Sequence, residues 1–227
     1  MLRLGLVWVW MTALAPGLPL VLAGCGSDMG TGATCTGACG CAGNTCSCNA
    51  GANCTLGPSL DAGIAPGALP SGTTYNCDSR NTCTTNCGPM CTSTCAGQSM
   101  CTGQCGASCS STCAGDSTCS LSSGPGSTIT CEGGSTCELT IQDGSTVRCS
   151  GDSTCTVILD GRATVECDGS SHCTVRCPRG GCTITCMGDS ACTLECGTSG
   201  SACRGTCMMN SPEVCQPGMT CEVPACH

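Results

Sequence analysis

Two stretches that lie 18 residues apart decide the fold: residues 129–141 read ITCEGGSTCELTI, and residues 147–159 read VRCSGDSTCTVIL. Each contains two cysteines separated by five residues, with a glycine and a serine between them. On both sides of this gap, cysteine or aliphatic residues alternate with polar ones, and Ile158 is the exception. This period-two alternation is typical of half-buried strands. Each stretch therefore predicts two short strands joined by a tight turn.

The same C-x5-C pair recurs along most of the chain, with six successive pairs starting 18 residues apart and a seventh after one inserted residue. The pairs are Cys77 and Cys83, Cys95 and Cys101, Cys113 and Cys119, Cys131 and Cys137, Cys149 and Cys155, Cys167 and Cys173, and Cys186 and Cys192. So strict a period indicates a repeat architecture. We predict an all-β, disulfide-rich parallel β-solenoid (β-helix) of about seven 18-residue coils, preceded by an irregular Cys-rich segment.

The residues between paired cysteines form a G-x-S pattern at the same phase in successive repeats. The glycines, two residues after the first cysteine, include Gly133, Gly151, Gly169 and Gly188. The serines two residues further on are Ser99, Ser117, Ser135, Ser153, Ser171 and Ser190. Glycine permits positive φ, and serine can hydrogen-bond to nearby backbone groups. We therefore expect a tight turn here, with turn glycines in each later coil.

The spacing leaves two disulfide pairings open. In the first, the two members of each C-x5-C pair bond to each other, because the turn folds their strands back across a narrow core. Their Cα atoms could then fall within the required window of about 4.4–6.8 Å. In the second, equivalent cysteines of adjacent coils bond along a ladder of similar spacing. We prefer the first, so the seven pairs are the candidate disulfides.

The tenth position after the first cysteine indicates what the interior tolerates. It is occupied by Cys87, Cys105, Ser123, Ile141, Leu159, Cys177 and Cys196. Cysteine and aliphatic residues exchange there, as expected of a buried position. Cys91 and Cys109 are further early cysteines, and we expect Ile129, Val147 and Val165 to replace them in later coils. Cross-links would then substitute for apolar packing toward the N-terminus.

Composition supports a cross-linked scaffold. The chain has 33 cysteines, one tyrosine, no phenylalanine and no lysine, and both tryptophans lie within the first ten residues. Stability must therefore come largely from disulfides, as in small secreted proteins. The net charge of −8, without a basic stripe, argues against a nucleic-acid partner.

Residues 1–24 have the features of a secretion signal, because Arg3 precedes the apolar run from Leu4 to Leu22. This run ends in Leu22-Ala23-Gly24-Cys25, which resembles the lipobox of bacterial lipoproteins. The resemblance implies that Cys25 is the lipid anchor, that its acyl chains (palmitate, for example) enter the membrane, and that the protein is exported to the cell envelope. Gly26, in place of aspartate, implies the outer membrane.

Cysteine parity agrees with this interpretation. Removing Cys25 from the 33 cysteines leaves 32, an even number that could form 16 disulfides in an exported protein.

Five segments are predicted: residues 1–24 as signal peptide, 25–56 as a lipid-anchored Cys-rich segment, 57–76 as a Gly/Pro-rich linker, 77–196 as the solenoid, and 197–227 as a Cys-rich C-terminal cap. A cap is needed because an open sheet edge invites aggregation.

Metal binding is the main functional alternative. The pairs Cys39-Gly40-Cys41 and Cys46-Ser47-Cys48 offer soft thiolates that suit Cu(I) or zinc. Such pairs are also common in disulfide knots, and His172 and His227 are the only histidines. We therefore predict no metal site and no cofactor.

Two other binding functions have weaker support. A column of aspartates is formed by Asp116, Asp152 and Asp189, but the G-G-x-G-x-D motif of calcium-binding β-rolls is missing. Thr154-Cys155-Thr156 resembles the T-C-T motif of insect ice-binding helices. The threonine column that precedes the second cysteines is, however, interrupted by Met100 and His172.

Catalysis is not expected. No Ser/His/Asp arrangement can be built around one internal histidine, and Arg148 and Glu166 would stack in adjacent coils as a surface ion pair. We predict a non-enzymatic, surface-exposed lipoprotein with a structural or adhesive role, whose partner is a surface glycan or protein. The alternative is a thiol-rich Cu/Zn-binding protein of the envelope.

Overall fold

The structure is a computed structural model that describes residues 33–36, 39–42, 45–48, 51, 53–58, 71–198, 200–207 and 213–223. The predicted signal peptide (1–24), the anchor Cys25 and residues 59–70 of the predicted linker lie outside the described residues. Where the chain is described, it forms strands and turns without a helix. Accordingly, no described segment is a helix with the length and hydropathy needed to cross a bilayer.

The strands, in chain order, are β1 (Ala33–Thr36), β2 (Cys39–Ala42), β3 (Thr45–Cys48), β4 (Asn53–Pro58), β5 (Thr74–Cys77), β6 (Thr82–Cys87), β7 (Thr92–Cys95), β8 (Met100–Cys105), β9 (Ser110–Cys113), β10 (Thr118–Ser123), β11 (Thr128–Cys131), β12 (Thr136–Gln142), β13 (Thr146–Cys149), β14 (Thr154–Asp160), β15 (Thr164–Cys167), β16 (His172–Cys177), β17 (Thr183–Cys186), β18 (Ala191–Cys196), β19 (Cys203–Cys207), β20 (Glu213–Cys215) and β21 (Thr220–Val223).

These strands form two sheets. Sheet A contains β1, the even-numbered strands from β4 to β18, and β21, whereas sheet B contains β2, the odd-numbered strands from β3 to β19, and β20. From β5 to β18, neighbours within each sheet are parallel and in register with the repeat, so that Cys119 faces Cys101 on one side and Cys137 on the other. Each coil thus contributes one short strand to sheet B and one longer strand to sheet A. The predicted parallel β-solenoid is confirmed.

Both ends of the solenoid change strand direction. At the N-terminal end, β1 is antiparallel to β4 and β2 is antiparallel to β3. At the C-terminal end, β21 is antiparallel to β18 and β20 is antiparallel to β19. Antiparallel strands therefore cover the last parallel strand of each sheet, which otherwise would present a free edge for aggregation.

Regular pairing extends further toward the N-terminus than the 18-residue period indicated. Strands β3 and β4 pair in parallel with β5 and β6, and Cys48 and Cys54 form one more C-x5-C pair across the turn between them. The spacing from Cys48 to Cys77 is longer than one repeat, which hides this coil from a search for a fixed period. Strand β5 also begins at Thr74, within the predicted linker.

The core lies between the sheets and is narrow. Sheet B contributes Ile129, Val147, Val165 and Ile184, and sheet A contributes Leu139, Val157, Val175, Leu194, Ile141 and Leu159. All of these side chains are buried, and burial of each stabilises the fold by about 1.5–3 kcal/mol. Tyr75, the single tyrosine, fills the sheet B position of the first 18-residue coil, where its hydroxyl lies 3.8 Å from Cys48 Sγ.

One expected equivalence was wrong. Ile129 pairs with Ser111 rather than with Cys109, because Cys109 lies two residues earlier in its coil and matches Ser127. At the tenth-position column, the early Cys105 takes the place that Ile141 and Leu159 fill later. Bonded cysteines return to this column at Cys177 and Cys196, so the coils with aliphatic residues there lie between coils with an additional cross-link.

The G-x-S turn requires glycine for two reasons. The φ angles of Gly133, Gly151, Gly169 and Gly188 lie between 60° and 71°, in the left-handed region. The turns also stack closely, since a Cβ on Gly151 would lie 3.2 Å from the backbone nitrogen of Gly133. Glycine thus satisfies both the local conformation and the distance between coils.

The serines of the turn form a buried column. Ser117 Oγ donates to the Ala114 carbonyl at 2.7 Å within its own turn and accepts from the Ser99 backbone N–H of the preceding coil at 3.3 Å. By contrast, the hydroxyls of Ser135 and Ser153 are buried without a hydrogen-bond partner. The same residue type is therefore satisfied in some coils and only packed in others.

Candidate functional site

The structure joins the two cysteines of each of the seven candidate pairs. Their Cα atoms are 6.2–6.6 Å apart, and each bond links the end of a sheet B strand to the start of the next sheet A strand. A bond that closes so short a loop stabilises the fold by about 2 kcal/mol in the chain-entropy description. Ladder bonds between coils are not formed by these pairs.

Further disulfides close the opposite turn, where the chain passes from sheet A back to sheet B. They are Cys105–Cys109, Cys177–Cys182 and Cys196–Cys203, and Cys215–Cys221 lies in the C-terminal segment. Cys105, Cys177 and Cys196 belong to the tenth-position column, so the sequence predicts that they face the interior. It does not predict which cysteine each of them bonds. Their partners occur four to seven residues further on, with no fixed spacing to reveal them.

Stacking of the coils brings the disulfides close together along the core. Cys95 and Cys101 each have their Sγ within 4.8 Å of Cys77 Sγ, and the same arrangement joins Cys149 and Cys155 with Cys173. All of these side chains are buried. Sulfurs of successive coils thus lie close together, and in a fully reduced chain each group of three could offer thiolates to a soft metal ion.

A shallow groove of about 440 Å³ crosses the outer face of sheet A at β8, β10, β12 and β14. Its polar lining residues are Thr102, Gln104, Ser120, Ser122, Glu138, Thr140 and Thr156. Gly103 and Leu121 also line it, and a Cβ at Gly103 would overlap the Thr85 carbonyl oxygen. Ile158, which breaks the strand alternation, points outward at one end and is 36% exposed. The groove therefore combines hydroxyl, amide and carboxylate groups with a small apolar area.

The outer face of sheet B carries a hydroxyl column that the sequence analysis missed. Its members are Thr74, Thr92, Ser110, Thr128, Thr146, Thr164 and Thr183, which pair in register through successive coils. The signal was a threonine or serine three residues before each first cysteine. Met100 and His172, which interrupt the threonine column compared with ice-binding helices, lie on sheet A. The hydroxyl column on sheet B has no such interruption from Thr74 to Thr183.

Opposite charges stack between adjacent coils. Arg148 forms an ion pair with Glu166 at 3.1 Å, as expected from their spacing, and Arg176 forms one with Glu195 at 2.6 Å. These pairs are partly or largely exposed, so each contributes about 0–1 kcal/mol. Their main effect is to neutralise charge on the sheet faces.

The aspartates near glycines have roles in the turns. Asp168 Oδ1 accepts a hydrogen bond from the Gly169 N–H at 2.7 Å, and Asp160 pairs with Arg179 at 2.9 Å. Asp116 accepts from Gln98 at 3.5 Å. These contacts agree with ordinary turn chemistry for the acidic residues. His172 is exposed on β16, next to Thr154 of the preceding coil.

The C-x-C pairs considered for metal binding lie at the N-terminal end. Cys48 is bonded to Cys54, and Cys46 is also disulfide-bonded. The side chains of Cys39 and Cys41, like the whole of Cys25, lie outside the described residues. The many disulfides indicate an oxidising, exported environment, because the cytosol keeps thiols reduced.

Comparison with known proteins gives no further guide, since no protein-family model, no curated protein and no solved structure matches the chain.

Proposed function

We propose that the protein is a non-enzymatic bacterial lipoprotein, anchored through Cys25 in the outer membrane, which displays its solenoid as a rigid adhesive rod. The lipobox-like Leu22-Ala23-Gly24-Cys25 supports the anchor, and the disulfides support export. The observation that carries the structural role is that each of the seven 18-residue coils is closed by its own disulfide.

A rod of this kind suits attachment outside the cell. Each disulfide closes a loop of one turn, so local opening of one coil does not release its neighbours. The interior depends on sulfur and aliphatic contacts that persist without a bound partner. Such a body can hold a binding face at a distance from the membrane and resist proteases.

The groove on sheet A is the proposed adhesive surface, and a surface glycan is the partner that its chemistry favours. Sugar hydroxyls both donate and accept hydrogen bonds, as do the hydroxyl and amide groups of Thr102, Gln104 and Ser122. Glu138 adds a charged acceptor, which strengthens a hydrogen bond from a sugar hydroxyl.

The anchor is tested by Cys25→Ser, with Ser27→Ala as the matched control. We expect the first variant to leave the membrane fraction and to lose labelling by a palmitate analogue, and the control to keep both. Unchanged membrane retention of Cys25→Ser would refute the anchor.

Adhesion is tested with a glycan array and a cell-attachment assay. Ser122→Arg places a large charged group in the groove, whereas Thr128→Arg places the same group on sheet B. We expect wild type and Thr128→Arg to bind and Ser122→Arg to lose binding. If only Thr128→Arg loses glycan binding, the binding surface lies on sheet B. If wild type binds no glycan, the adhesive role is refuted.

A second candidate function is soft-metal binding in the envelope, favoured by the groups of three sulfurs such as Cys77, Cys95 and Cys101. Protein purified without reductant separates the two candidates. If the protein is a disulfide-braced rod, we expect almost no free thiols in the denatured protein. We also expect mass spectrometry to detect no bound copper or zinc. Many thiols with bound metal would support the second candidate instead.

A further inference from the structure

Cys87 and Cys91 flank a turn that passes from sheet A to sheet B, and both carry thiols in the structure. Cys87 ends β6, and Cys91 precedes β7, with Gly88, Pro89 and Met90 between them. Both side chains are buried, with 3% and 1% of their surface exposed. The other cysteines of the 18-residue coils are in disulfides, so Cys87 and Cys91 differ from them in carrying thiols.

The next coil contains the same pair in its bonded form. Cys87 is in register with Cys105, which bonds to Cys109, and the two cysteines are separated by three residues in both turns. The Cα atoms of Cys105 and Cys109 are 6.2 Å apart. The second turn therefore shows that this chain length and position accommodate a disulfide.

The backbones of the two turns also match. Met90 and Ser108 occupy equivalent positions, and both have a φ of 58°. The turns stack through hydrogen bonds from Gly106 N to the Cys87 carbonyl at 3.0 Å and from Ser110 N to the Cys91 carbonyl at 2.9 Å. Because both ends of the turns are held in register, the separation available to Cys87 and Cys91 corresponds to that of the bonded pair.

The two thiols already contact each other. A hydrogen bond between them, together with burial, raises the pKa of the Cys87 thiol. The same hydrogen bond lowers the pKa of Cys91, assisted by backbone hydrogen bonds from Thr73 and Gly88 and opposed by burial. Cys91 is thus the better nucleophile of the pair, since the thiolate is the form that attacks.

We propose that Cys87 and Cys91 form a disulfide in the exported protein, which closes this turn as Cys105–Cys109 closes the next. The oxidant is a disulfide-carrying oxidoreductase or small-molecule disulfide of the envelope. The Cys91 thiolate attacks it and releases one thiol, and Cys87 then loses its proton and attacks Cys91 Sγ in the mixed disulfide to release the second. Two protein thiols are oxidised and one external disulfide is reduced to two thiols.

Because Cys87 and Cys91 are buried, their disulfide must form before folding of this region is complete. An external disulfide cannot reach sulfurs that are nearly fully covered, so the bond must form before the neighbouring coils pack over this turn. A molecule that folds with the pair reduced would keep it reduced until the region opens.

The test is alkylation of wild-type protein secreted into the envelope, denatured without reductant, and mapped by peptide mass spectrometry. We expect no label on Cys87 or Cys91 before reduction, one label on each after reduction, and a linked peptide that contains both. Labelling of both residues before reduction would overturn the proposal, as would a linkage of either one to another cysteine. A copper or zinc ion retained by the pair would also overturn it.

Variants provide an independent readout. Cys87→Ser should leave one labelled thiol at Cys91, and the double variant Cys87→Ser/Cys91→Ser should leave none. The matched Cys105→Ser, in the next coil, should release a thiol at Cys109 in the same way. If Cys87→Ser adds no labelled thiol relative to wild type, the proposed bond is absent.

Discussion

At the residue scale, position within the turn decides what glycine and serine do. In the first 18-residue coil, Ser79 takes the turn position that glycine fills in later coils, at a φ of 61°, so a small side chain is accepted in the left-handed region there. The later turns use glycine and stack with backbone contacts of 3.0–3.3 Å from a hypothetical Cβ, as at Gly169. Local strain and inter-coil spacing therefore act on the same residue.

Gly133→Ala should lower the free energy of unfolding by about 1–3 kcal/mol, because alanine disfavours the φ of 70° at this position. Gly134→Ala is the matched control, since its Cβ would meet only the flexible carboxylate of Asp116. Denaturant unfolding monitored by circular dichroism measures both changes. Equal losses in the two variants would contradict the role assigned to positive φ.

Ser117→Ala and Ser153→Ala test the buried serine column. The first removes hydrogen bonds to Ala114 O and from Ser99 N, which should cost about 1–3 kcal/mol because buried backbone groups lose their partner. The second removes a hydroxyl that has no hydrogen-bond partner, so stability should stay the same or rise. A larger loss in Ser153→Ala than in Ser117→Ala would show that packing dominates.

At the element scale, alternation along each strand separates the core from the outer faces. In β14 the inward Val157 and Leu159 are fully buried, whereas the intervening Ile158 is exposed on sheet A. The three apolar residues in a row cannot be assigned to faces by hydrophobicity alone. Register with β12 decides their orientation, because Leu139 and Ile141 pair with Val157 and Leu159.

Leu159→Ala and Ile158→Ala are therefore expected to differ although they are neighbours. The first leaves a cavity in the narrow core and should cost about 2–5 kcal/mol. The second shortens an exposed side chain and should change stability by no more than about 0.5 kcal/mol. Thermal unfolding under non-reducing conditions provides the comparison, and similar costs would argue against the assigned register.

At the scale of the whole molecule, the coils interact mainly with their nearest neighbours. Stability in such a solenoid is approximately a sum over coils and the interfaces between them. The antiparallel strands at both ends cover the parallel edges, and the inserted residue before β17 is accommodated near Gly180, which forms a bridge with Ser201. A change that preserves the 18-residue period should therefore be tolerated in the middle of the rod.

Deletion of residues 146–163 removes one complete coil with its disulfide, and we expect the shortened chain to retain its β-sheet circular dichroism and its lack of additional free thiols. Deletion of residues 138–146 is the control. It removes nine residues and no cysteine, but places sheet B sequence over sheet A sequence.

The control should therefore lose structure C-terminal to the deletion and become sensitive to protease. Comparable resistance of the two deletions would show that coil register does not determine the fold.

The sequence alone determined the solenoid, its 18-residue coil and the inward position of Cys131, Val147 and Ile141. It could do so because a fixed period places equivalent residues in the same environment, and alternation shows which side is buried. It also indicated the stacked ion pair of Arg148 and Glu166. These features depend on spacing along the chain, which a sequence records directly.

Only the tertiary structure decided which features at similar spacing come together. The coil around Cys48–Cys54 lies behind a longer insertion, and the sheet A groove needs four neighbouring strands. The Cys105–Cys109 bond crosses a turn whose C-x3-C pair recurs only once, at Cys87 and Cys91 of the preceding coil. The Cα atoms of each pair are 6.2–6.6 Å apart, and those of equivalent cysteines in adjacent coils are about 4.8 Å apart, so both pairings fit the disulfide window and spacing could not distinguish them. The direction of each side chain across the core distinguishes them, and that direction is set by how the two sheets face each other.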